Sequence, residues 1–151
     1  VTDSDYEYKD EYATIIRGDQ SDIKDITKVA NIVEKAKFII DDGSHHPEHQ
    51  LLTFTHLFQH LLEPGGVYII EDIECSYWNP KEDIYGYKTG YLNIIDYFTK
   101  YQHELNSEFH SGNNTLGIST ITYGQNCIII TKQTEEEKSF YNREYCFGWK
   151  L

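Results

Sequence analysis

Two short apolar runs, each ending in two adjacent acids, stand out in the pattern of hydrophobic and polar positions along the chain. The first occupies residues 38–42 (Phe-Ile-Ile-Asp-Asp) and the second occupies residues 67–72 (Val-Tyr-Ile-Ile-Glu-Asp). A run of β-branched and aromatic residues without polar alternation is typical of a strand buried on both faces of a parallel sheet. The pattern therefore predicts two such strands with acids at their carboxyl ends.

The segment between the two runs has the periodicity of a helix with one apolar face. Apolar residues lie at positions 51, 54, 58, 61 and 62, which is helical spacing. Pro47 suits the first position of a helix, and Pro-Gly-Gly at 64–66 predicts where the helix stops. A strand–helix–strand unit almost always crosses over right-handedly between parallel strands. Both acidic pairs are thus expected at one sheet edge, where ligands bind in such folds.

Four carboxylates at one edge repel each other unless a cation lies between them. They belong to Asp41, Asp42, Glu71 and Asp72. Mg²⁺, which prefers oxygen ligands, is the simplest such cation. His45 is placed to act as a general base beside it, with His46 as the alternative, although adjacent residues leaving a strand usually point apart. Solvated loop acids explain either pair alone, whereas two pairs and a histidine at one edge favour a metal site.

Further elements are predicted on both sides of this unit. Strands are expected near 13–17, 116–123 and 126–132, the last two forming a hairpin with its turn at Gly124 and Gln125. Helices are expected over 23–35 and 91–105, a loop over 1–12, and over 73–89 a loop long enough to be a lid or substrate wall. All of this suits one domain spanning residues 1–151.

The net charge and the cysteines limit which classes of partner and which cellular compartment are expected. A formal net charge of −12 argues against nucleic acid or an anionic membrane surface as a partner, and no apolar segment reaches the length of a membrane span. Cys75, Cys127 and Cys146 lack metal-ligand spacing, so a cytoplasmic location is expected. The aromatic residues after Thr134 should be buried on this core or on a partner subunit, so a homo-oligomer is one expected arrangement.

Several short motifs occur together in the central region. They are Asp-Asp-Gly-Ser-His at 41–45, His49, Thr53-Phe54, Leu57-Phe58, Pro-Gly-Gly at 64–66, Glu71-Asp72 and Ser-Tyr-Trp at 76–78. In this combination they resemble metal-dependent class I S-adenosylmethionine methyltransferases, most nearly the sugar O-methyltransferases of macrolide and aminocoumarin antibiotic pathways. The resemblance implies an α/β, Rossmann-like sheet that is mainly parallel and ends in an antiparallel C-terminal hairpin.

The resemblance also implies roles for individual residues. Asp42, Glu71 and Asp72 would be the Mg²⁺ ligands, and His45 would be the catalytic general base. S-adenosylmethionine would be bound by Asp3, Asp19, Gln20 and Asp41. Asp19 and Gln20 offer an acceptor and an amide to a purine edge, although Asp19, Ser21 or Asp22 is equally suited to cap the next helix. Tyr77 and Trp78 would stack on a sugar or aglycone, the alternative being that they pack beneath the site.

The first strand and Gly-rich turn of the class I fold have no counterpart in this sequence. It contains no Gly-x-Gly-x-x-Gly and no methionine. We therefore expect residues 1–151 to be the C-terminal part of a methyltransferase catalytic domain.

The predicted function is S-adenosylmethionine- and Mg²⁺-dependent O-methylation. The acceptor would be a sugar hydroxyl of a glycosylated small molecule or saccharide, in antibiotic or polysaccharide biosynthesis. One alternative is a metal-dependent hydrolase in which the same carboxylates and His45 activate water. Another is a catalytically silent binding module.

Overall fold

A four-stranded mixed sheet forms the centre of the computed structural model, which describes residues 7–78, 83–84, 87–88, 92–106 and 114–141. The strands, in chain order, are β1 (Tyr8–Lys9), β2 (Thr14–Ile15), β3 (Ala36–Asp41), β4 (Leu62–Glu71), β5 (Asp83–Ile84), β6 (Tyr87–Lys88), β7 (Ile118–Gly124) and β8 (Cys127–Lys132). The helices are α1 (Ile23–Ile32), α2 (Pro47–His60), α3 (Ile94–Thr99), α4 (Gln102–Leu105) and α5 (Glu135–Tyr141), with a 3₁₀ helix at Ile73–Tyr77. The main sheet has the order β3-β4-β8-β7, while β1 with β2 and β5 with β6 form separate small sheets.

The two predicted central strands pair in parallel, which confirms the expected strand–helix–strand unit. Phe38 lies opposite Val67, and Asp41 lies opposite Ile70. β8 then pairs antiparallel with both β4 and β7, as expected for the closing hairpin. Because β3 and β4 run in the same direction, their carboxyl ends meet at one edge of the sheet, and the residues that follow them are brought together there.

The core lies between the sheet and helices α2 and α3. Phe54, Phe58, Tyr68 and Phe98 are fully buried. The Phe54 ring centroid lies 4.8 Å from those of both Phe58 and Phe98 and 5.3 Å from that of Tyr68, distances at which aromatic rings attract each other. This cluster holds α2 against β4, so that the loop before α2 and the residue after β4 keep a fixed separation.

A buried lysine closes the C-terminal end of α2. The Lys132 ammonium of β8 donates hydrogen bonds to the carbonyl oxygens of Phe58 at 2.7 Å and Leu62 at 2.8 Å, with a longer one to Gln59 at 3.3 Å. Burial lowers the pKa of Lys132. The last carbonyls of a helix lack partners within the helix, and Lys132 supplies them with donors while tying the helix to β8.

One face of β3 departs from the prediction of a strand buried on both sides. Phe38 is 69% exposed and Ile40 is 60% exposed, whereas Asp41, which points to the other face, is buried. Among the described residues, Phe38 and Ile40 stay open to solvent, whereas Gln20 and Tyr68 contact Asp41 on the other face. The apolar run therefore reflects a strand with one buried face and one open apolar face.

The N-terminal prediction is wrong in two respects. Residues 13–17 do not join the main sheet, because β2 within them pairs with β1, and β1 lies in the segment predicted to be a loop. The cause is local: the Asp10 carboxylate accepts hydrogen bonds from the backbone amides of Tyr12 and Ala13. That turn folds the chain back on itself into a short hairpin.

Helices α1 and α3 begin or end at residues that differ from the predicted ones. Asn93 begins α3 by accepting hydrogen bonds from the amides of Ile95 and Asp96, and the predicted helix over 91–105 is divided into α3 and α4. α1 begins after Asp22, whose side chain accepts from the Lys24 amide, and ends where Val33 turns extended. Each helix within the described ranges is too short or too polar to cross a membrane.

The turn of the closing hairpin lies one residue later than predicted. Gly124 pairs with Cys127, so the two turn residues are Gln125 and Asn126. Asn126 has a φ of 56°, a left-handed conformation that asparagine tolerates better than most residues. β4 also begins earlier than predicted, because Leu62 pairs with Ala36 ahead of an irregularity that accommodates the Pro-Gly-Gly segment.

Candidate metal and cofactor site

Three of the predicted site residues meet at the carboxyl ends of β3 and β4. Asp42 follows β3, His45 lies in the loop before α2, and Asp72 follows β4. One potential ligand atom from each lies within 4.8 Å of the others. The His45 Nε2 atom is 3.2 Å from Asp42 Oδ1 and 3.6 Å from Asp72 Oδ2. The side chain of His45 is 17% exposed, whereas both carboxylates are open to solvent, so the group is accessible from one side.

The donor set fits a hard divalent cation. An octahedral Mg²⁺ holds oxygens at about 2.0–2.1 Å, which places neighbouring ligands about 3 Å apart and opposite ligands about 4 Å apart. In the structure, His45 Nε2 lies 3.2 Å from Asp42 Oδ1 and 3.6 Å from Asp72 Oδ2, and the ligand atoms of all three residues lie within 4.8 Å of one another. Two carboxylates supply the oxygen chemistry that Mg²⁺ prefers, and the imidazole beside them suits proton transfer better than Mg²⁺ ligation.

Two members of this group have left-handed backbone conformations. The φ angles of His45 and Asp72 are 57° and 50°. Residues with a Cβ are uncommon in this region, and such strain concentrates at functional sites, where the surrounding structure holds it in place. The conformation turns the chain sharply at the end of each segment. The strain and the cluster of ligands therefore mark the same two residues.

Glu71 occupies a different position from its two predicted partners. It is the last residue of β4, where it pairs with Cys127 of β8. Within the described residues, the carboxylate group that forms around His45 does not include Glu71. Its place as a third metal ligand remains a prediction.

The alternative base, His46, points elsewhere. It is 4% exposed, its Nδ1 atom lies 2.9 Å from Glu48 Oε2, and its ring stacks on His49 with a centroid distance of 4.5 Å. His45 alone of the adjacent pair faces Asp42 and Asp72. This agrees with the expectation that neighbouring residues leaving a strand point apart.

Asp41 and Gln20, both predicted to bind the cofactor, bind each other. Gln20 Nε2 donates to Asp41 Oδ1 at 2.6 Å, and Gln20 Oε1 accepts from the Ser44 amide at 2.7 Å. The Tyr68 hydroxyl donates to the other oxygen of Asp41 at 3.2 Å. Burial raises the pKa of Asp41 to about 6, and these hydrogen bonds oppose the rise. The Gln20 amide thus ties the turn before α1 to the loop that carries His45.

Because Gly43 has no side chain, the Gln20 amide can lie directly against it. A Cβ atom at position 43 would collide with Gln20 Oε1. A side chain at position 43 would therefore push the Gln20 amide away from its partners Asp41 and Ser44. The motif thus fixes the position of residues 19–20, which are predicted to bind the cofactor, relative to Asp42, His45 and Asp72.

The remaining predicted residues are placed as follows. The Asp19 carboxylate accepts from the amide and hydroxyl of Ser21, which lower the pKa of Asp19, while Asp22 is the residue that caps α1. Tyr77 and Trp78 end the 3₁₀ helix after Asp72 and are 73% and 41% exposed. Asp3 lies outside the described residues.

Sequence reasoning missed Gln50 and Asn126. Gln50, fully buried on α2, donates through Nε2 to the carbonyl oxygens of Glu71 at 3.0 Å and Asp72 at 3.4 Å. Asn126, in the β7–β8 turn, donates to Asp72 Oδ1 at 2.7 Å. Gln50 could have been found as a polar residue within the apolar stripe of α2, whereas the contact of Asn126 depends on how the hairpin docks.

Comparison with known proteins finds that the chain is similar to methyltransferases. No family model matches the chain. Over 60 residues it is 42% identical to 8-demethyl-8-alpha-L-rhamnosyl tetracenomycin-C 2'-O-methyltransferase of Streptomyces olivaceus, a match covering 40% of this chain and 16% of that protein. Over 65 residues it is 43% identical to demethylmacrocin O-methyltransferase of Streptomyces fradiae, covering 43% of this chain and 16% of the relative. The chain therefore spans only a small part of the length of these relatives.

Solved structures give the same result for the fold. MycE, a methyltransferase from the mycinamycin biosynthetic pathway in complex with Mg and SAH, superposes over 81% of this chain and 33% of its own, with a TM-score of 0.63 and 24% identity. The MycE complex that also contains mycinamycin VI gives a TM-score of 0.63 and 26% identity, covering 81% of this chain and 32% of its own. The chain has the Rossmann-like α/β fold of this methyltransferase. The predicted resemblance to class I S-adenosylmethionine methyltransferases is confirmed, and the chain's relatives are O-methyltransferases.

Proposed function

We propose that this protein is an S-adenosylmethionine- and Mg²⁺-dependent O-methyltransferase that acts on a sugar hydroxyl of a glycosylated small molecule or saccharide. The observation that carries the proposal is the convergence of Asp42, His45 and Asp72 at the carboxyl ends of two parallel strands. The relation to O-methyltransferases supports the same reaction. We expect the protein to work in the cytoplasm on a diffusible acceptor.

The proposed mechanism divides the roles within this group. Asp42 and Asp72 would hold Mg²⁺, with Glu71 as the third predicted ligand. Bound there, Mg²⁺ would supply the Lewis acidity that makes the hydroxyl to be methylated more acidic. His45 would take the proton of that hydroxyl at Nε2, the ring atom that faces both carboxylates. Once protonated at Nε2, the imidazolium would donate to Asp42 Oδ1, 3.2 Å away, and this carboxylate would stabilise the positive charge.

Different residues are proposed to bind the cofactor and the acceptor. Asp19, Gln20 and Asp41 lie on the side of α1 and are the described residues proposed for S-adenosylmethionine, together with Asp3. Asp19 stays ionised because its pKa is lowered, so it suits the hydroxyl or amino groups of a nucleoside. Tyr77 and Trp78, which end the 3₁₀ helix after Asp72, would stack on a sugar or aglycone ring.

Methyl transfer to a glycosylated macrolide tests the proposal. The protein is incubated with Mg²⁺, S-adenosylmethionine and mycinamicin VI, and the acceptor is analysed by mass spectrometry for the gain of one methyl group. Calorimetric titration with S-adenosylmethionine runs in parallel. Binding of the cofactor with no methylation of this acceptor would redirect the search to other saccharides. Metal-dependent hydrolysis without cofactor binding would support the hydrolase alternative instead.

His45→Ala tests the proposed base. A general base contributes about 100- to 10,000-fold to rate, and we expect a loss of kcat in this range with the melting temperature nearly unchanged. His60→Ala is the matched control, because it removes an exposed imidazole at the other end of α2. Near-normal turnover of His45→Ala would remove His45 from the mechanism.

A further inference from the structure

The proposed metal ligand Asp72 is held in place by a residue from a distant part of the chain. Asn126, in the β7–β8 turn, donates from Nδ2 to Asp72 Oδ1 at 2.7 Å. Its own side-chain oxygen accepts the backbone amide of Glu74 at 3.0 Å. One side-chain amide therefore spans Asp72 and the start of the 3₁₀ helix, using both of its polar ends.

The two carboxylate oxygens of Asp72 have different partners. Oδ1 accepts from Asn126, whereas Oδ2 lies 3.6 Å from His45 Nε2 and faces the metal group. An amide is a neutral donor, so it orients the carboxylate without cancelling the negative charge that a cation needs. A lysine or arginine at this position would compete with the cation for that charge.

The backbone of Asp72 is held independently. Asp72 has a φ of 50° and a ψ of 60°, and Gln50 donates to its carbonyl oxygen and to that of Glu71. α2 thus fixes the main chain while the β7–β8 turn fixes the side chain. Mg²⁺ demands near-ideal octahedral geometry, so the direction of one ligand oxygen matters for affinity.

We propose that Asn126 is a positioning residue that sets the orientation of the Asp72 carboxylate for metal binding. This inference rests on the proposed function of the Asp72 site and adds a residue to it. The partners that orient metal ligands typically change metal affinity by about 10- to 100-fold when removed. We expect a loss of this size when the Asn126 amide is removed.

The backbone of Asn126 makes a clean test available. Its φ is 56°, a conformation that glycine adopts freely, so Asn126→Gly removes the amide and leaves the turn intact. Gln125→Gly is the matched control, because it changes the exposed neighbouring residue of the same turn.

The measurement is the Mg²⁺ dissociation constant of each protein by calorimetry, together with the melting temperature in chelator. We expect Asn126→Gly to bind Mg²⁺ about 10- to 100-fold more weakly. Gln125→Gly should match the wild type, and melting temperatures without metal should differ little between the two glycine variants. Wild-type affinity in Asn126→Gly overturns the positioning role alone. Failure of the wild-type protein to bind Mg²⁺ overturns this inference and the proposed metal site together.

Discussion

Replacing Asp72 by asparagine separates the metal-binding role of this carboxylate from its effect on folding. The substitution keeps the shape of the side chain and removes one negative charge from a group whose ligand atoms lie within 4.8 Å of one another. At that separation two carboxylates repel by about 1 kcal/mol in a water-like dielectric and by about 3–4 kcal/mol at an effective dielectric constant of 20. Because Asp42 is 59% and Asp72 43% exposed, the smaller value applies.

In the absence of metal, two opposing effects of Asp72→Asn on the free energy of unfolding nearly cancel. Asp72→Asn relieves about 1 kcal/mol of repulsion. It also turns the charge-assisted hydrogen bond from Asn126 into a neutral one, which costs about 1 kcal/mol. We therefore expect the free energy of unfolding in chelator to change by no more than about 1 kcal/mol in either direction.

With metal, the two proteins should diverge. A cation that binds only the folded state stabilises it by about 2.7 kcal/mol at a concentration one hundred times its dissociation constant. For a domain of this size that corresponds to a rise of about 5–10 °C in melting temperature. At the same Mg²⁺ concentration, Asp72→Asn should gain much less, because one ligand charge is missing.

The assay is thermal unfolding at pH 7 in Mg²⁺ and in chelator, for wild type and Asp72→Asn. Asp96→Asn, which removes an exposed acid from the first turn of α3, controls for the general effect of net charge on cation binding. Equal responses of wild type and Asp72→Asn to Mg²⁺, or no response in either, would show that Asp72 is not a ligand.

Two further predictions concern the contact between Gln20 and the loop after β3. The pKa of Asp41 is raised to about 6, so the folded state binds a proton more tightly than the unfolded state. The stability of the wild type in chelator should therefore fall as pH rises from about 4 to 6, by at most about 3 kcal/mol. Urea unfolding curves of Asp41→Asn should lack this fall, and parallel pH profiles of the two proteins would contradict the assignment. Gly43→Ala should cost about 1–3 kcal/mol through its collision with the Gln20 amide. The double variant Gln20→Ala, Gly43→Ala should show positive coupling in a double-mutant cycle, and strict additivity would mean that the collision is not the cause.

The convergence of Asp42, His45 and Asp72 was predictable because strand order and strand ends depend on simple patterns. Two apolar runs joined by one amphipathic helix predict parallel strands, and parallel strands bring Asp42 and Asp72 to one edge whatever the rest of the chain does. His45 followed from its place in the loop between strand and helix. That Glu71 lies outside this group of described residues did not follow, since successive side chains at the end of a strand point in different directions.

Contacts between distant segments could not be predicted in the same way. The bond from Asn126 to Asp72 joins residues 54 positions apart and depends on the register of the β4–β8 pair. The pairing of β2 with β1 followed from a turn made by the Asp10 side chain, which overrode the expectation of a sheet strand. Gln20 and Asp41 were each recognised as polar site residues, but their mutual hydrogen bond requires the three-dimensional positions of both loops.

The arrangement of β4 has a consequence for the kinetics of folding. β4 pairs on one side with β3, which lies a single helix earlier in the chain, and on the other with β8, which arrives some 56 residues later along the sequence. Closing the longer loop between β4 and β8 costs more chain entropy, and is slower, than closing the loop between β3 and β4. Asp42, His45 and Asp72 therefore come together with the first pairing, while Asn126 reaches Asp72 only once the hairpin has docked. In stopped-flow refolding, tight Mg²⁺ binding should accordingly appear with the last folding phase and report on completion of the sheet.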